Sequence, residues 1–347
     1  MDSSVNEKSL SRREFLKMSG LLGLAATAAA VIPVSESVAF GGGLYKVTRN
    51  ISVMGTYAVI TVMDESRSRA DDAMGKAFDE MRRLTRIMDR FDSSSAVSAL
   101  NRDGRINDAP KELLDVAEAS RRFHASTGGA FDVTVAPLVD LYKDSFTATG
   151  LPPTPAALSR ALALVDGGGL SVSGRTISLA KPGMSVTLDG IAKGYIIDAG
   201  AESLKKSGAA HFLVNAGGDI RAVGGKGGNA SWTIAVRDPE STKNADAISI
   251  NDGAVATSGN YEVYFDREKL YHHIVNPKTG ACPVTSASVS VAAPTVTAAD
   301  ALSTSVFVMG PDRGRKFIEG VKDARCFVIT RTGGREASKG WNDLHQG

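Results

Sequence analysis

Hydrophobic and polar positions along the chain follow two periods, one typical of helices and one typical of strands. In residues 69–88 the apolar side chains recur every three or four positions, at Ala73, Ala77, Met81, Leu84 and Met88. This spacing places them on one stripe and predicts an amphipathic helix. The same pattern, with proline and glycine at the ends, predicts further helices at 111–126, 154–164, 192–207, 300–309 and 313–321.

Shorter runs of apolar and β-branched residues predict strands. They lie at 45–50, 58–63, 169–172, 176–179, 212–215, 220–223, 232–237, 247–250, 254–258, 261–265, 287–292 and 326–330. Strands often follow strands directly, for example around the turn Met54-Gly55-Thr56. This order favours an α+β fold with mixed, largely antiparallel sheets and packed helices over a regular βαβ repeat.

The N-terminal segment has the pattern of an export signal. Ser11-Arg12-Arg13-Glu14-Phe15-Leu16-Lys17 matches a twin-arginine motif, and the apolar run 21–34 follows it. Ser37-Val38-Ala39 is a small-x-Ala cleavage pattern. We therefore expect a twin-arginine signal peptide at 1–39 and one domain at 40–347. The expected location is the periplasm, where the protein is soluble or is held by an uncleaved signal that acts as an anchor.

Charge and cysteine content narrow the function classes. The chain has 40 Lys and Arg against 38 Asp and Glu, a net charge of +2, and removal of residues 1–39 leaves that balance unchanged. No basic excess indicates nucleic acid as a partner. The two cysteines, Cys282 and Cys326, make neither a disulfide framework nor a zinc set, and the sequence does not say whether they pair.

The segment 297–304 has two interpretations. Thr297-x-x-Asp300 before an apolar helix is a formal capping box, which is the ordinary interpretation of the segment taken alone. On a helix, however, Asp300, Ser303 and Thr304 share one face. A carboxylate with hydroxyl groups is a set of hard oxygen ligands that Mg²⁺ accepts.

The segment 188–195, Leu-Asp-Gly-Ile-Ala-Lys-Gly-Tyr, has the pattern of a turn that leads into a helix. Gly190 allows a ligand to approach the backbone closely, and a helix N-terminus offers free N–H groups to an anion. Lys193 adds a full positive charge suited to phosphate. A solvated lysine after an ordinary turn is the alternative.

Two adjacent histidines, His272 and His273, precede a turn at Pro277–Gly280. On a strand they would face opposite ways, so at most one would reach a given site. A packing or surface role is the ordinary interpretation for either histidine. A neutral imidazole beside a phosphate would also be able to take a proton from an attacking hydroxyl group.

Seven motifs in order resemble the ApbE family, the FAD:protein FMN transferases, over essentially all of residues 40–347. They are Met54-Gly55-Thr56, Met88-Asp89-Arg90-Phe91-Asp92, Gly128-Gly129-Ala130-Phe131-Asp132, the segment 188–195, Asn215-Ala216-Gly217-Gly218-Asp219, the segment 273–280 and Ala299-Asp300-Ala301-Leu302-Ser303-Thr304. No single motif is decisive, but the ordered set is specific. The resemblance implies an ApbE-like fold and a transferase that binds FAD with a divalent cation such as Mg²⁺.

The same resemblance implies a reaction and a set of residues. Such enzymes move FMN from FAD to a Thr or Ser hydroxyl group of an acceptor flavoprotein, and they release AMP. The acceptor is expected to carry an FMN-binding domain and to be a membrane respiratory protein. By family position the metal would be held by Asp300, Thr304 and the Gly190 carbonyl, with Ser303 as a weaker candidate. The FAD contacts would be Met54, Phe91, Ala130, Phe131, Asp132, Lys193 and Ile274, and the catalytic residues His273 as base, Lys193 and Asp300.

The chain departs from the family in one motif. Many members have Asp-Leu-Gly-Gly before Ile-Ala-Lys-Gly, whereas this chain has Thr187-Leu188-Asp189-Gly190. Either Thr187 takes over the polar contact to FAD, or Asp189 makes it from a different position, so Asp189 has no assigned role. The form resembles members associated with nitrous-oxide reductase maturation. Two other functions stay open: a Mg²⁺-dependent FAD pyrophosphatase that yields FMN and AMP, and a non-enzymatic periplasmic FAD-binding protein.

Overall fold

A nine-stranded sheet is the largest element of the computed structural model, which describes residues 36–40, 43–227 and 230–346. Every pair of neighbouring strands in it is antiparallel, in the order β1-β2-β3-β7-β8-β11-β12-β13-β14. Its strands are β1 (Glu36–Phe40), β2 (Leu44–Val53), β3 (Thr56–Asp64), β7 (Phe212–Ala216), β8 (Asp219–Val223), β11 (Gly253–Gly259), β12 (Ser286–Ala293), β13 (Arg325–Thr330) and β14 (Arg335–Ala337).

Two smaller antiparallel sheets complete the β structure of the described residues. One contains β4 (Arg105–Ile106), β6 (Thr176–Leu179) and β5 (Leu170–Ser173), and the other pairs β9 (Trp232–Arg237) with β10 (Asn244–Ile250). The α-helices are α1 (Arg67–Met88), α2 (Ala96–Asp103), α3 (Lys111–Ser126), α4 (Ala136–Thr149), α5 (Pro155–Leu162), α6 (Ala192–Lys206), α7 (Val296–Met309) and α8 (Pro311–Glu319).

The main core lies between the large sheet and the helices α1, α6 and α7. The stripe on α1 predicted from the spacing of apolar residues is buried, including Ala73, Ala77, Met81 and Leu84. It packs on α6, and α6 packs in turn on α7, which lies across β11 and β12. This arrangement brings the N-terminal end of α6 against α7, and the polar residues of both helices meet there.

The predicted elements agree with this architecture in kind and mostly in position. Helix α3 and strand β9 have the predicted bounds, and the fold is α+β with antiparallel pairing, as expected. Helices α2 and α4 were not predicted. Helix α2 is only 8 residues long, and α4 has a proline in its first turn and a mixed pattern of apolar residues.

The strand predicted at 261–265 is wrong. The segment makes turns, and only Tyr264 pairs with His272 in an isolated bridge. The side chain of Asp266 accepts hydrogen bonds from the N–H groups of Leu270 and Tyr271, which closes a tight loop in place of a strand ladder. His272 and His273 therefore do not lie on a regular strand.

Most of the predicted signal at 1–39 lies outside the described residues. The last four residues of the predicted signal, 36–39, belong to β1. This strand continues past the predicted cleavage junction to residue 40 and pairs with β2. In the part of the chain that the structure describes, no helix has the length and hydropathy needed to cross a bilayer. Both cysteines are free and buried, which answers the question of pairing.

Candidate active site

A cleft opens where the N-terminal end of α6 and one face of α7 meet the C-terminal end of β11. It contains most of the residues that the sequence singles out. Its lining includes Ala130, Phe131, Asp132, Thr187, Asp189, Gly190, Lys193, Thr257, Ser258, Glu262, His273, Ile274, Pro277, Asp300 and Thr304. Segments more than one hundred residues apart in sequence thus form one site.

Close contact between α6 and α7 requires a glycine at residue 194. A Cβ atom there would lie 2.6 Å from the carbonyl oxygen of Val296, so no side chain fits. The N–H group of Gly194 donates a hydrogen bond to Oδ2 of Asp300, 3.1 Å away. The backbone of one helix therefore positions the carboxylate of the other.

The beginning of α7 is capped from outside the helix. Asp198 of α6 accepts hydrogen bonds from the N–H groups of Val296 and Thr297 and from the Thr297 hydroxyl group, at 3.0, 2.9 and 2.6 Å. Thr295 is the N-cap residue. The capping box between Thr297 and Asp300 is thus wrong, because Thr297 bonds to Asp198 and Asp300 bonds to Gly194. Asp300 is left facing the cleft.

The glycine of the turn before α6 lies against α7. A Cβ atom on Gly190 would be 3.0 Å from Oγ1 of Thr304 and 3.3 Å from the Phe131 ring. Gly190, Thr304 and Asp300 therefore line one part of the cleft, as the predicted metal site requires. Ser303 does not line it: its hydroxyl group is buried, donates to the Asp300 carbonyl oxygen and lies 2.8 Å from Oγ of Ser258. No contact here gives Ser303 access to a metal, so its assignment stays a prediction.

Lys193 is mostly buried and is paired with Asp219, which excludes the interpretation of a solvated lysine. Its side chain is 22% exposed, and its ammonium nitrogen lies 3.0 Å from Oδ2 of Asp219. Burial acts to lower the pKa of Lys193, but the carboxylates of Asp219, Glu262 and Asp300 outweigh it and raise the pKa. Lys193 therefore stays charged throughout the physiological pH range.

The carboxylates around Lys193 outnumber it. Burial raises the pKa values of Asp219, Glu262 and Asp300, and the shift at Asp300 is increased by the nearby charge of Asp219. Lys193 and the Gly194 N–H group offset only part of this effect. With one ammonium group for three carboxyl groups, full ionisation would leave surplus negative charge in a low-dielectric wall, and a bound cation would neutralise that charge.

The donor atoms beside Gly190 fit a hard divalent cation. Asp300 offers a carboxylate, Thr304 a hydroxyl group and Gly190 a backbone carbonyl group, all of them oxygen ligands of the kind Mg²⁺ accepts. Over 36–40, 43–227 and 230–346, no three His, Cys, Asp or Glu side chains converge on a single metal position. A cation here would therefore need oxygen ligands from hydroxyl groups, the backbone or a bound substrate.

The two histidines have different environments. His272 is fully buried, and burial lowers its pKa to about 4, so it is a neutral core residue. His273 lines the cleft, and its Nδ1 lies 3.0 Å from the Val263 carbonyl oxygen. Since a carbonyl oxygen only accepts hydrogen bonds, Nδ1 carries the hydrogen in this contact, and Nε2 of the neutral ring keeps its lone pair. His273 therefore has the tautomer that a general base at Nε2 needs.

Asp132 also lines the cleft, and its carboxylate is saturated by hydrogen bonds from the protein itself. Oδ1 accepts from the N–H and hydroxyl groups of Thr134, at 2.8 and 2.6 Å, and Oδ2 accepts from the Gly167 N–H group at 2.9 Å. His124 lies 3.4 Å from Oδ2. The interaction with Asp132 raises the pKa of His124, and partial burial of the imidazole opposes this rise. Asp132 fixes the shape of the wall.

The remaining predicted contact residues divide into two groups. Ala130, Phe131, Thr187 and Ile274 line the cleft. Met54 and Phe91 do not. Met54 occupies the two-residue turn between β2 and β3 with a positive φ of 55°, and the Phe91 ring is 69% exposed. The FAD contacts of all these residues stay predictions.

Three residues of this region were missed by the sequence analysis as individual site residues: Asp219, Glu262 and Arg90. Asp219 ends the glycine turn at 215–219 and was noted only as part of a motif. Glu262 lies three residues after β11, and only the three-dimensional fold brings it to Lys193. A single acid among the apolar and aromatic residues of 261–265 was the one signal available.

Comparison with known proteins gives one consistent result. The family model described as the ApbE family matches residues 54–328. A FAD:protein FMN transferase of Treponema pallidum is 33% identical over 285 residues, which is 75% of this chain and 78% of that protein. The protein of the same name from Haemophilus influenzae is 34% identical over 261 residues, covering 71% and 74%.

Solved structures agree in fold. The ApbE protein of Thermotoga maritima superposes with a TM-score of 0.78 at 30% identity and covers 87% of this chain and 99% of that one. The flavin transferase ApbE from Vibrio cholerae gives a TM-score of 0.75 at 27% identity, with the same coverage. The expected ApbE-like α+β architecture is thereby confirmed.

Proposed function

This chain belongs to the ApbE family, and we propose that it performs the reaction for which its relatives are named, the transfer of FMN from FAD to a protein. It is an enzyme of the transferase class, with FAD as substrate. The finer parts of the proposal are a requirement for Mg²⁺, a Thr or Ser acceptor and a periplasmic location. One observation supports the metal site: Gly190, Asp300 and Thr304 lie together beside the mostly buried Lys193.

The proposed reaction is balanced with FAD and the acceptor protein as its only reactants. The oxygen of the acceptor hydroxyl group attacks the phosphorus nearer to riboflavin and forms a phosphoester. The bond from that phosphorus to the bridging oxygen breaks, and AMP leaves with the electron pair. The hydroxyl proton must go to a base in the cleft.

His273 is the base that the geometry favours. The Val263 carbonyl oxygen holds the hydrogen on Nδ1, so Nε2 is free to accept the proton. The same contact fixes the orientation of the ring in the cleft wall. The enzyme supplies no nucleophile of its own in this scheme, since the acceptor hydroxyl group has that role.

Lys193 contributes a fixed positive charge to the phosphates. It is held by Asp219, which in turn accepts a hydrogen bond from the Thr257 N–H group at 3.1 Å. A charge held in place before the substrate arrives costs no reorganisation when negative charge moves onto the leaving phosphate. Lys193 therefore acts by electrostatic stabilisation.

Asp300, Thr304 and the Gly190 carbonyl group are the proposed holders of Mg²⁺. A divalent cation bound there would neutralise charge on the pyrophosphate and assist departure of AMP. The surplus of buried carboxylates supports this assignment, because burial alone makes an ionised Asp300 unfavourable. Thr187, on the wall, supports a polar contact to the nucleotide.

The proposed acceptor is a flavoprotein with an FMN-binding domain, such as a membrane respiratory protein. The twin-arginine pattern at 11–17 supports export to the periplasm, so the acceptor domain would have to be accessible there. The nearly balanced net charge of +2 gives no support to a nucleic-acid partner.

Mass spectrometry of an acceptor domain after incubation with the protein, FAD and Mg²⁺ tests the function. The expected result is an added FMN on one Thr or Ser, with one AMP released for each transfer. Release of FMN and AMP without an acceptor, and no modified acceptor, would indicate a pyrophosphatase. Stable FAD binding with no turnover would indicate a binding protein.

A further inference from the structure

Arg90 is a buried cation next to the cleft that none of the roles above uses. Its side chain is only 9% exposed, although it lies in the loop that follows α1. Its two terminal nitrogens bond to the carboxylate oxygens of Asp140 on α4, at 3.2 and 2.8 Å. This bidentate pair fixes the plane of the guanidinium group, so its other contacts are also fixed in direction.

One face of the fixed guanidinium lies under the exposed ring of Phe91. The Arg90 Cζ atom is 4.7 Å from the ring centroid, which is cation–π distance. The ammonium group of Lys143 lies 5.3 Å from the same centroid. These contacts hold an otherwise exposed aromatic ring in one place.

The remaining nitrogen of Arg90 points toward the turn before α6. Nε is buried and has no hydrogen-bond partner among the described residues. The carboxylate facing it is that of Asp189, with Oδ2 at 3.9 Å. Asp189 is bonded directly to Gly190, whose carbonyl group is a proposed metal ligand. Burial acts to lower the pKa of Arg90, but Asp140 and Asp189 outweigh it, so the guanidinium stays charged.

We propose that Arg90 is a positioning residue of the reaction, which holds the Phe91 ring and the Asp189–Gly190 turn in a fixed relation to each other. It touches neither phosphate nor metal and acts through its two neighbours. The proposal rests on the flavin-transfer function, in which Phe91 contacts FAD and Gly190 contacts the cation. It also gives Asp189 a role: its carboxylate attaches the metal-binding turn to Arg90.

Binding measurements test the proposal without depending on turnover. Flavin fluorescence gives the dissociation constant of FAD without metal, and calorimetry gives the Mg²⁺ concentration for half-saturation of the FAD complex. The variants are Arg90→Gln, Asp189→Asn and their combination. Arg102→Gln is the matched control, because Arg102 pairs with Asp103 on the surface of α2, away from the cleft lining.

The expected results distinguish the contact of Arg90 with Phe91 from its contact with Asp189. Arg90→Gln weakens FAD and Mg²⁺ binding by about tenfold each, since a buried charged hydrogen-bonding group is lost. Asp189→Asn weakens only Mg²⁺ binding, by about threefold, because its carboxylate is half exposed. The combined variant binds Mg²⁺ no worse than Arg90→Gln alone, because both changes remove the same contact. Arg102→Gln changes neither constant.

Other results overturn the proposal. If Asp189→Asn leaves Mg²⁺ binding unchanged, or if the two changes add independently, Arg90 does not position the turn. If Arg90→Gln only lowers the melting temperature, its role is structural. If Arg90→Gln does not fold, Asp189→Asn decides alone, since its side chain is 50% exposed and the variant is expected to fold. A wild-type protein that binds FAD and Mg²⁺ without FMN transfer would remove the proposed function and leave this test readable.

Discussion

Two buried aspartates line the cleft, and they differ in what surrounds them. Asp132 accepts hydrogen bonds from Thr134 and Gly167 and lies beside His124. Asp300 receives one N–H group, from Gly194, and shares its wall with Asp219 and Glu262. The first carboxylate is satisfied by hydrogen bonds from the protein alone, whereas the second shares one ammonium group, that of Lys193, with two other carboxylates. A carboxylate that the fold leaves uncompensated is the better candidate for binding a ligand.

Replacement of Asp300 should have the largest effect on activity and little effect on folding. Asp300→Ala removes the proposed carboxylate ligand, and we expect FMN transfer to fall roughly 100-fold or more. The melting temperature should change little, because the loss of like-charge repulsion offsets the cost of leaving the Gly194 N–H group unpaired. Asp300→Asn is the control, because it keeps an acceptor for the Gly194 N–H group and should be equally inactive. Normal transfer by either variant would rule out the metal role.

Replacement of Asp132 should have the opposite profile. Asp132→Ala leaves buried donors of Thr134 and Gly167 without an acceptor, and we expect a loss of about 2–4 kcal/mol in the free energy of unfolding. Urea denaturation with and without FAD measures this change. A variant as stable as the wild type but without activity would show that Asp132 acts on the ligand and not on the wall.

Addition of Mg²⁺ should stabilise the folded protein more at high pH than at low pH. Because burial raises the pKa of Asp300, its contribution to stability is complete below the unfolded value of about 3.9 and is lost as pH rises through the folded value. Mg²⁺ needs the ionised carboxylate, so its effect grows over the same rise in pH. At one hundred times the dissociation constant the gain is about 2.7 kcal/mol.

Thermal melting with and without Mg²⁺ at a series of pH values from about 4 to 9 measures this difference. Asp300→Asn should show little response to Mg²⁺ at any of these pH values. A Mg²⁺ response in the wild type that does not grow anywhere in the series would contradict the assignment of a buried carboxylate with a raised pKa to the cation.

Replacement of His124 should have the smallest effect, and that effect is on the stability of the folded protein. Its pKa is raised, so the stability it gains from Asp132 is fully present below the unfolded value near 6.5 and disappears as pH rises through the folded value. The imidazole is partly exposed, and we expect less than about 1 kcal/mol. Comparison of His124→Gln with the wild type at pH 6 and pH 9 should show a difference only at pH 6. A difference independent of pH would indicate packing alone.

The sequence predicted those parts of the fold and site that depend on local pattern or on ordered motifs. The stripe on α1 and the bounds of α3 and β9 follow from periodicity and from the residues at their ends. The meeting of Gly190 with Thr304 followed from the resemblance, because no local rule relates residues so far apart in sequence.

One error arose where a distant contact replaces a local one. Thr297 and Asp300 have the spacing of a capping box, but Asp198 and Gly194 supply their partners from α6. The error at residues 261–265 has a different cause: they have the composition of a strand, but a local contact of the Asp266 side chain closes a loop there. No sequence pattern indicates that Lys193 lies among carboxylates, because Glu262 comes close to it only in the folded structure.

A crystal structure of the protein with FAD and Mn²⁺ is the most direct measurement of the central claim, that one cation and the FAD pyrophosphate meet between α6 and α7. Anomalous scattering locates Mn²⁺ independently of the fitted coordinates. The account predicts one peak at bonding distance, about 2.0–2.4 Å, from the Asp300 carboxylate, the Gly190 carbonyl oxygen and a pyrophosphate oxygen. A peak elsewhere, or a pyrophosphate bound away from Lys193 and Asp300, would contradict it.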